Sequence, residues 1–186
     1  MRFALLAAAL MFAAPAFADE PVKFPEKLQR TDFQAVIADA GPVYVAGQPS
    51  EAALRDLAAK GVKTVVNLRT QREMDNRQQV PFDEAALLKE LGMTYVHIPL
   101  GGTDTPYTPE AVEKFSAALD KADGKVLLHC TVGWRASHMW AAYLVKHKGA
   151  PEAEAIKQAQ AINYGGYTPP NGGALPIDGL LGKKAN

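Results

Sequence analysis

The chain has 186 residues, with 20 basic side chains balanced by 20 acidic ones, so it has no net field with which to hold nucleic acid or another polyanion. One cysteine, Cys130, rules out internal disulfide bonds. The four histidines, His97, His129, His138 and His147, show no ligand spacing and no accompanying carboxylate cluster, so neither a metal nor another cofactor is expected.

The elements are predicted in chain order. Arg2, the apolar run 3–12, Pro15 and the small residues Ala16 and Ala18 have the form of a secretory signal peptide over residues 1–18. That implies a periplasmic or secreted protein. No later stretch is long and apolar enough to span a membrane. Residues 19–42 are expected to form a lead-in, with a short helix over 28–39 ending near Gly41-Pro42. Residues 43–46 predict a strand and Gly47-Gln48-Pro49 a turn. Ser50 then caps a helix through residue 60, and Gly61 ends it. A strand follows over 62–68, then a polar loop or weak helix over 69–80 and a helix over 81–91. The next strand is expected over 93–98, with a Gly- and Thr-rich loop over 99–107. Thr108-Pro109 opens a helix as N-cap and first-turn proline. Residues 125–129 form a short apolar strand, 130–135 a tight loop, 136–148 a helix and 152–162 a further helix. The tail 165–186 is rich in Gly and Pro and is expected to be irregular.

Strands alternating with helices of these lengths predict an α/β domain over 43–164, with a mostly parallel central sheet flanked by helices. Ligands of such sheets sit beyond the carboxyl ends of the strands. Cys130 lies at one of those ends.

On cysteine count alone a lone thiol is a small buried hydrophobe; the surroundings of Cys130 favour chemistry instead. The segment His129-Cys-Thr-Val-Gly-Trp-Arg135 leaves a buried strand, turns around Gly133 and enters a helix. Backbone N–H groups in such a turn converge on an anion, and the helix adds its positive end. The same field favours a thiolate. Thr131, Val132, Gly133 and Trp134 would form the anion cradle, and Arg135 can grip two oxygens of an oxyanion.

This segment resembles the phosphate-binding loop of the cysteine-dependent phosphatases, the protein tyrosine and dual-specificity class. That class usually has five residues between Cys and Arg. This chain has four, which resembles a bacterial dual-specificity-phosphatase-like subgroup known as β-lactamase hydrolase-like. Ala46-Gly47-Gln48-Pro49, Val66-Asn67-Leu68-Arg69 and Tyr95-Val96-His97-Ile98-Pro99 match the same subgroup. The resemblance implies a dual-specificity-phosphatase-like fold and a phosphate monoester hydrolase acting on a phosphorylated protein or small molecule. It implies attack by Cys130 to give a phosphocysteine that water then hydrolyses, with Arg135 and the loop amides stabilising the transferring group. His129 would orient or tune the thiol, or simply pack at the strand end. Asp104, in the loop after the 93–98 strand, is the candidate general acid, its alternative role being a turn cap beside Thr103 and Thr105.

Two residues depart from the family pattern. The hydroxyl that commonly follows the arginine is replaced by Ala136; Ser137 comes one residue later, turned by about 100° on a helix. Trp134 is large for such a loop and would either wall the pocket or anchor the loop on the core. Arg69 and Arg72 are expected to be solvent-exposed loop charges, with substrate binding the alternative; the residues give Gln48 no role. Two other readings stand beside the phosphatase: a rhodanese-like sulfurtransferase carrying a persulfide, and a non-catalytic phosphate or phosphoprotein binder.

Overall fold

The computed structural model describes residues 21–166 and 174–183. The expected signal peptide, and residues 167–173 of the expected tail, lie outside them.

Six strands form one sheet in the order β1-β2-β3-β6-β4-β5. They are β1 (Glu26–Lys27), β2 (Ile37–Asp39), β3 (Val43–Ala46), β4 (Val62–Asn67), β5 (Thr94–His97) and β6 (Lys125–His129). β6 lies parallel between β3 and β4, and β4 is parallel to β5. β1 and β2 add antiparallel pairings at the β3 edge, so the sheet is mixed but mostly parallel.

The predicted helix over 28–39 is not formed. Residues 37–39 are β2, joined to β3 by a tight turn in which Ala40 N–H donates to Val43 O and Gly41 takes φ +93°. Ile37 and Ala38 are buried on opposite faces of the sheet, in different core clusters. That is the period of a strand, which a three-residue segment is too short to announce.

The helices are α1 (Glu51–Ala59), α2 (Gln71–Met74), α3 (Glu84–Glu90), α4 (Pro109–Asp120), α5 (Trp134–Lys148), α6 (Glu152–Ile162) and α7 (Pro176–Leu180). Ser50 caps α1 as predicted, its Oγ accepting from Ala53 N–H. α5 begins two residues before the expected start. The tail is not wholly irregular: α7 packs against α4 and α5, with Ile177 and Leu180 buried. Among the described residues no helix is long and apolar enough to cross a membrane.

Strand alternation divides the core and thereby builds the site. Val126 and Leu128 on β6, with Val43 and Val45 on β3, join the cluster that holds Phe115 of α4 and Trp140 of α5. Leu127 on β6 and Val65 on β4 join the other cluster, with Leu54 of α1 and Leu88 of α3. Two residues on from Leu127, His129 falls on the α3 face, whereas Cys130 belongs to the α5 face. A histidine and its neighbouring cysteine are thus delivered to opposite sides of one sheet edge.

Candidate active site

Cys130 leaves β6 with its N–H donating to Ala46 O at 3.2 Å. The turn that follows is pinned at three points. Thr131 O accepts from Gln48 N–H at 2.9 Å, Val132 O accepts from Asn163 Nδ2 at 2.6 Å, and Gly133 caps α5 with φ +83°. Ser137 N–H donates to Gly133 O at 2.9 Å, closing the first turn of α5. The N–H groups of the first turn therefore have no acceptor within the helix, and they carry its positive end. The thiol is only 1% exposed, yet it is not sealed in the core: with Thr131, Val132, Trp134 and Arg135 it lines a cavity of about 630 Å³.

Arg135 projects from the first turn of α5 and is held by several elements. Nη1 donates to Leu100 O at 2.7 Å and to Leu68 O at 3.3 Å, the carbonyls just beyond β5 and β4. Glu73 then grips the guanidinium end-on, with Nη1 to Oε2 at 2.9 Å and Nη2 to Oε1 at 2.6 Å. Thr131 Oγ1 donates to Glu73 at 2.7 Å and accepts from Nη2 at 3.0 Å. This Glu73 contact uses the Nη1–Nη2 edge of the guanidinium, opposite the side chain's own Nε. Burial opposes the charge of Arg135, but Glu73 and the nearby thiol outweigh it and raise its pKa. Burial likewise pushes Glu73 up, and Arg135 overrides it, holding the carboxyl at about 2. Glu73 sits on the one-turn helix α2 through a capping box with Thr70, whose N–H and hydroxyl both donate to Oε2. The pattern Thr70-x-x-Glu73 announces that box; its bond to Arg135 comes only with the tertiary fold.

Beneath the loop, on the α3 face, lies a second polar tier. Glu84, in the first turn of α3, is 2% exposed. Its Oε1 accepts from Asn67 Nδ2 at 2.9 Å and faces His129 Nε2 at 3.0 Å; its Oε2 accepts from Gln48 Nε2 at 2.8 Å. Burial raises the Glu84 pKa, but His129, Gln48 and Asn67 together hold it below the usual carboxylate range. Gln48 Oε1 also accepts from Arg69 Nη1 at 2.8 Å, and Arg69 N–H donates to Asn67 Oδ1 at 2.8 Å. Arg69 O meets His97 Nε2 at 2.7 Å, and Tyr95 OH accepts from Asn67. Each of the three segments beside the cysteine loop that carried the sequence resemblance thus contributes to one hydrogen-bonded network. Gln48, to which the residues alone gave no role, bridges Glu84 and Arg69.

Several expectations are corrected or refined. Arg69 is not an exposed loop charge: it is fully buried, and burial lowers its pKa. Arg72 is exposed and lines the cavity beside Cys130. Trp134 does both things weighed for it, lining the cavity and packing edge-on against His138 with centroids 5.0 Å apart. Ser137 is buried, its hydroxyl donating to Trp134 O at 2.8 Å, and Ala136 is fully buried. Asp104 is exposed at a tight turn that Thr105 closes, with Gly101 N–H donating to Thr105 O at 2.8 Å and Gly102 N–H to Thr105 Oγ1 at 3.0 Å. It lines a neighbouring cavity of about 320 Å³ that shares Thr70, Arg72 and Gly102 with the cavity beside Cys130. The sequence reading missed Glu73 and Glu84.

A family model for a dual-specificity protein tyrosine phosphatase domain, described as "DSP-PTPase phosphatase fused to NAD+ Kinase", matches residues 22–168. The chain belongs to that family. Among curated relatives, a β-lactamase hydrolase-like protein of Xylella fastidiosa is 28% identical over 65% of this chain. One of Agrobacterium fabrum is 34% identical over 50% of it. The chain spans 28% and 21% of those relatives' own lengths. Among solved structures, a putative phosphatase from Shewanella putrefaciens is 27% identical with a TM-score of 0.51, covering 75% of this chain and 88% of that one. A putative phosphatase from Neisseria meningitidis is 28% identical with a TM-score of 0.51, covering 64% and 82%. PTPMT1, solved with PI(5)P, shares the fold at 19% identity and a TM-score of 0.59, covering 75% and 87%. These likenesses bear out the dual-specificity-phosphatase-like fold expected of the α/β pattern.

Proposed function

We propose that this member of the dual-specificity phosphatase family hydrolyses phosphate monoesters through a phosphocysteine on Cys130. The observation that carries the reading is the shared cavity. The thiol, the mouth of the α5 helix and an arginine fixed by Glu73 and two strand-end carbonyls all open onto it.

The Cys130 sulfur attacks phosphorus in line, and the bond from phosphorus to the leaving oxygen breaks. Asp104, reaching over from the adjoining turn, gives its proton to that oxygen. Loop amides and the Nε edge of Arg135 hold the equatorial oxygens, while Glu73 keeps the guanidinium in place from its other edge. Water then attacks the phosphocysteine, Asp104 takes its proton, and the thiolate leaves with inorganic phosphate as product. Ser137, committed to the Trp134 carbonyl, gives the departing thiolate no hydroxyl, so the second step is the slower one. Thr131, Val132, Gly133 and Trp134 shape the anion cradle. The substrate is a phosphorylated protein or small molecule. Two fold neighbours, TpbA solved with phosphotyrosine and PTPMT1 with PI(5)P, show the range of phosphate esters such a fold receives. The signal-peptide pattern of residues 1–18 supports a reaction in the periplasm or outside the cell.

The test is hydrolysis of an aryl phosphate by the purified protein and by Cys130→Ser, run beside transfer of sulfur from thiosulfate to cyanide. Phosphate release that vanishes in the variant, with no thiocyanate formed, supports the reading. Thiocyanate without phosphate release would replace it with the sulfurtransferase, and vanadate binding without turnover would replace it with the binder.

A further inference from the structure

Deepening the proposed phosphatase reading and resting on it, we infer that Glu84 is a positioning residue that acts through His129, holding its ring doubly protonated beneath the nucleophile. Both ring nitrogens face atoms that can only accept. Nε2 lies 3.0 Å from a carboxylate oxygen of Glu84, and Nδ1 lies 3.4 Å from the carbonyl oxygen of Cys130. A neutral imidazole in either tautomer sets one lone pair against another; only a ring with two hydrogens satisfies both contacts. The carboxylate supplies the charge that lets such a ring stay in a site with no exposure.

The rest of the tier keeps Glu84 ionised and in place. Its two oxygens receive hydrogens from Asn67 and Gln48, and Gln48 is fixed in turn by Arg69. Such a network orients a titrating ring through its far nitrogen, as a second layer does for any catalytic group. The charged and titratable groups of this network are Glu84 on α3, which faces the ring, Arg69 after β4 and Tyr95 on β5, with Cys130 next in the chain and Glu73 and Arg135 across the loop. Burial and the charge of Glu84 push the Tyr95 hydroxyl to about 12, so Tyr95 stays neutral. Of the two partners in the pair, His129 is the nearer to Cys130, its neighbour in the chain; Glu84 lies on the far side of the ring. The pair therefore turns its positive end, through Nδ1, toward the Cys130 main chain, which favours the thiolate.

The sign separates this role from simple electrostatics. Removing a distant negative charge would by itself make the thiol easier to ionise. If Glu84 works by keeping the proton on His129, Glu84→Gln must make it harder. The experiment follows the rate of Cys130 alkylation by iodoacetate against pH, which needs no phosphatase turnover. In Glu84→Gln the thiol titration is expected to move up by about one pH unit, which is a tenfold lower rate below the titration. His129→Gln should do the same, and Glu84→Gln added to His129→Gln should change nothing further. An unmoved or downward titration in Glu84→Gln, or a further rise in the double variant, overturns the inference. Should Glu84→Gln not fold, nitrogen NMR of the unmodified protein decides: two protonated nitrogens on His129 at neutral pH support it, and one bare nitrogen overturns it. A thiol that titrates as stated in a protein that hydrolyses no phosphate ester would sink the phosphatase reading and leave this one standing.

Discussion

The two glutamates of the site teach opposite lessons. Glu73 lies above the cysteine loop, about a quarter exposed, and pairs with an arginine that keeps its charge at any working pH. Glu84 lies below the loop, almost wholly buried, and pairs with a histidine whose charge depends on the company it keeps. Above, the ion pair sits at the mouth of a cavity onto which the thiol also opens. Below, the carboxylate is bonded to His129, Asn67 and Gln48, all of them buried. In the proposed reaction the upper tier serves binding and the lower tier preparation of the nucleophile.

Variants can break or sharpen that contrast. The largest effect is expected at the thiol between the tiers: Cys130→Ser should take aryl phosphate hydrolysis to background while vanadate still binds, and undiminished turnover would remove Cys130 as nucleophile. Next comes Arg135→Ala in the upper tier. Loss of its charge and fork should lower kcat/KM by roughly 10²–10³-fold and weaken vanadate binding together with it; loss of rate with unchanged vanadate affinity would show that Arg135 does not touch the anion. Asp104→Asn should reduce turnover by about 10²-fold for alkyl phosphates and far less for an aryl phosphate with a good leaving group. Equal losses on the two substrates would take Asp104 out of the acid role.

Glu73→Gln is milder, because Leu68 O, Leu100 O and Thr131 still hold Arg135. A fall in activity of about tenfold is expected. This variant also carries a signature in stability. Glu73 is held at about 2 in the folded protein against an ordinary 4.5, so its contribution is present above pH 4.5 and is lost as pH falls toward 2. Urea unfolding at a series of pH values should show that loss in the parent and a flatter profile in Glu73→Gln.

The smallest effect tests a residue outside both tiers. His138 is fully buried between Trp134 and Tyr164, and burial lowers its pKa to about 4. Below pH 6.5 the unfolded chain takes up a proton that the folded ring refuses, so stability falls between pH 6.5 and 4. His138→Phe should remove that slope with little change in activity at neutral pH. An unchanged slope would place the acid sensitivity elsewhere.

The strands and helices from Val43 to Ile162 were largely legible because they repeat local signals: Ser50 before α1, Thr108-Pro109 before α4, and an apolar β6 ending at Cys130. The thiol, the arginine and the turn between them were legible for the same reason, being contiguous in the chain. β2 was mistaken for helix because three residues show no period. α7 was missed because Pro176 and Gly179 argue against a helix, while its stability comes from burying Ile177 and Leu180 on α4 and α5.

What the sequence determined by itself was whatever depends on neighbours along the chain: the alternation that sends His129 and Cys130 to opposite faces, the glycine that turns the loop, and the Ser50 cap that starts α1. Only the tertiary structure decided which distant carboxylates meet them. Glu73 is 62 residues from Arg135, and Glu84 is 45 from His129. Burying a polar or charged group without partners is costly, so Arg69 and Gln48, featureless in the linear chain, take their partners from the strand ends that the parallel sheet brings together.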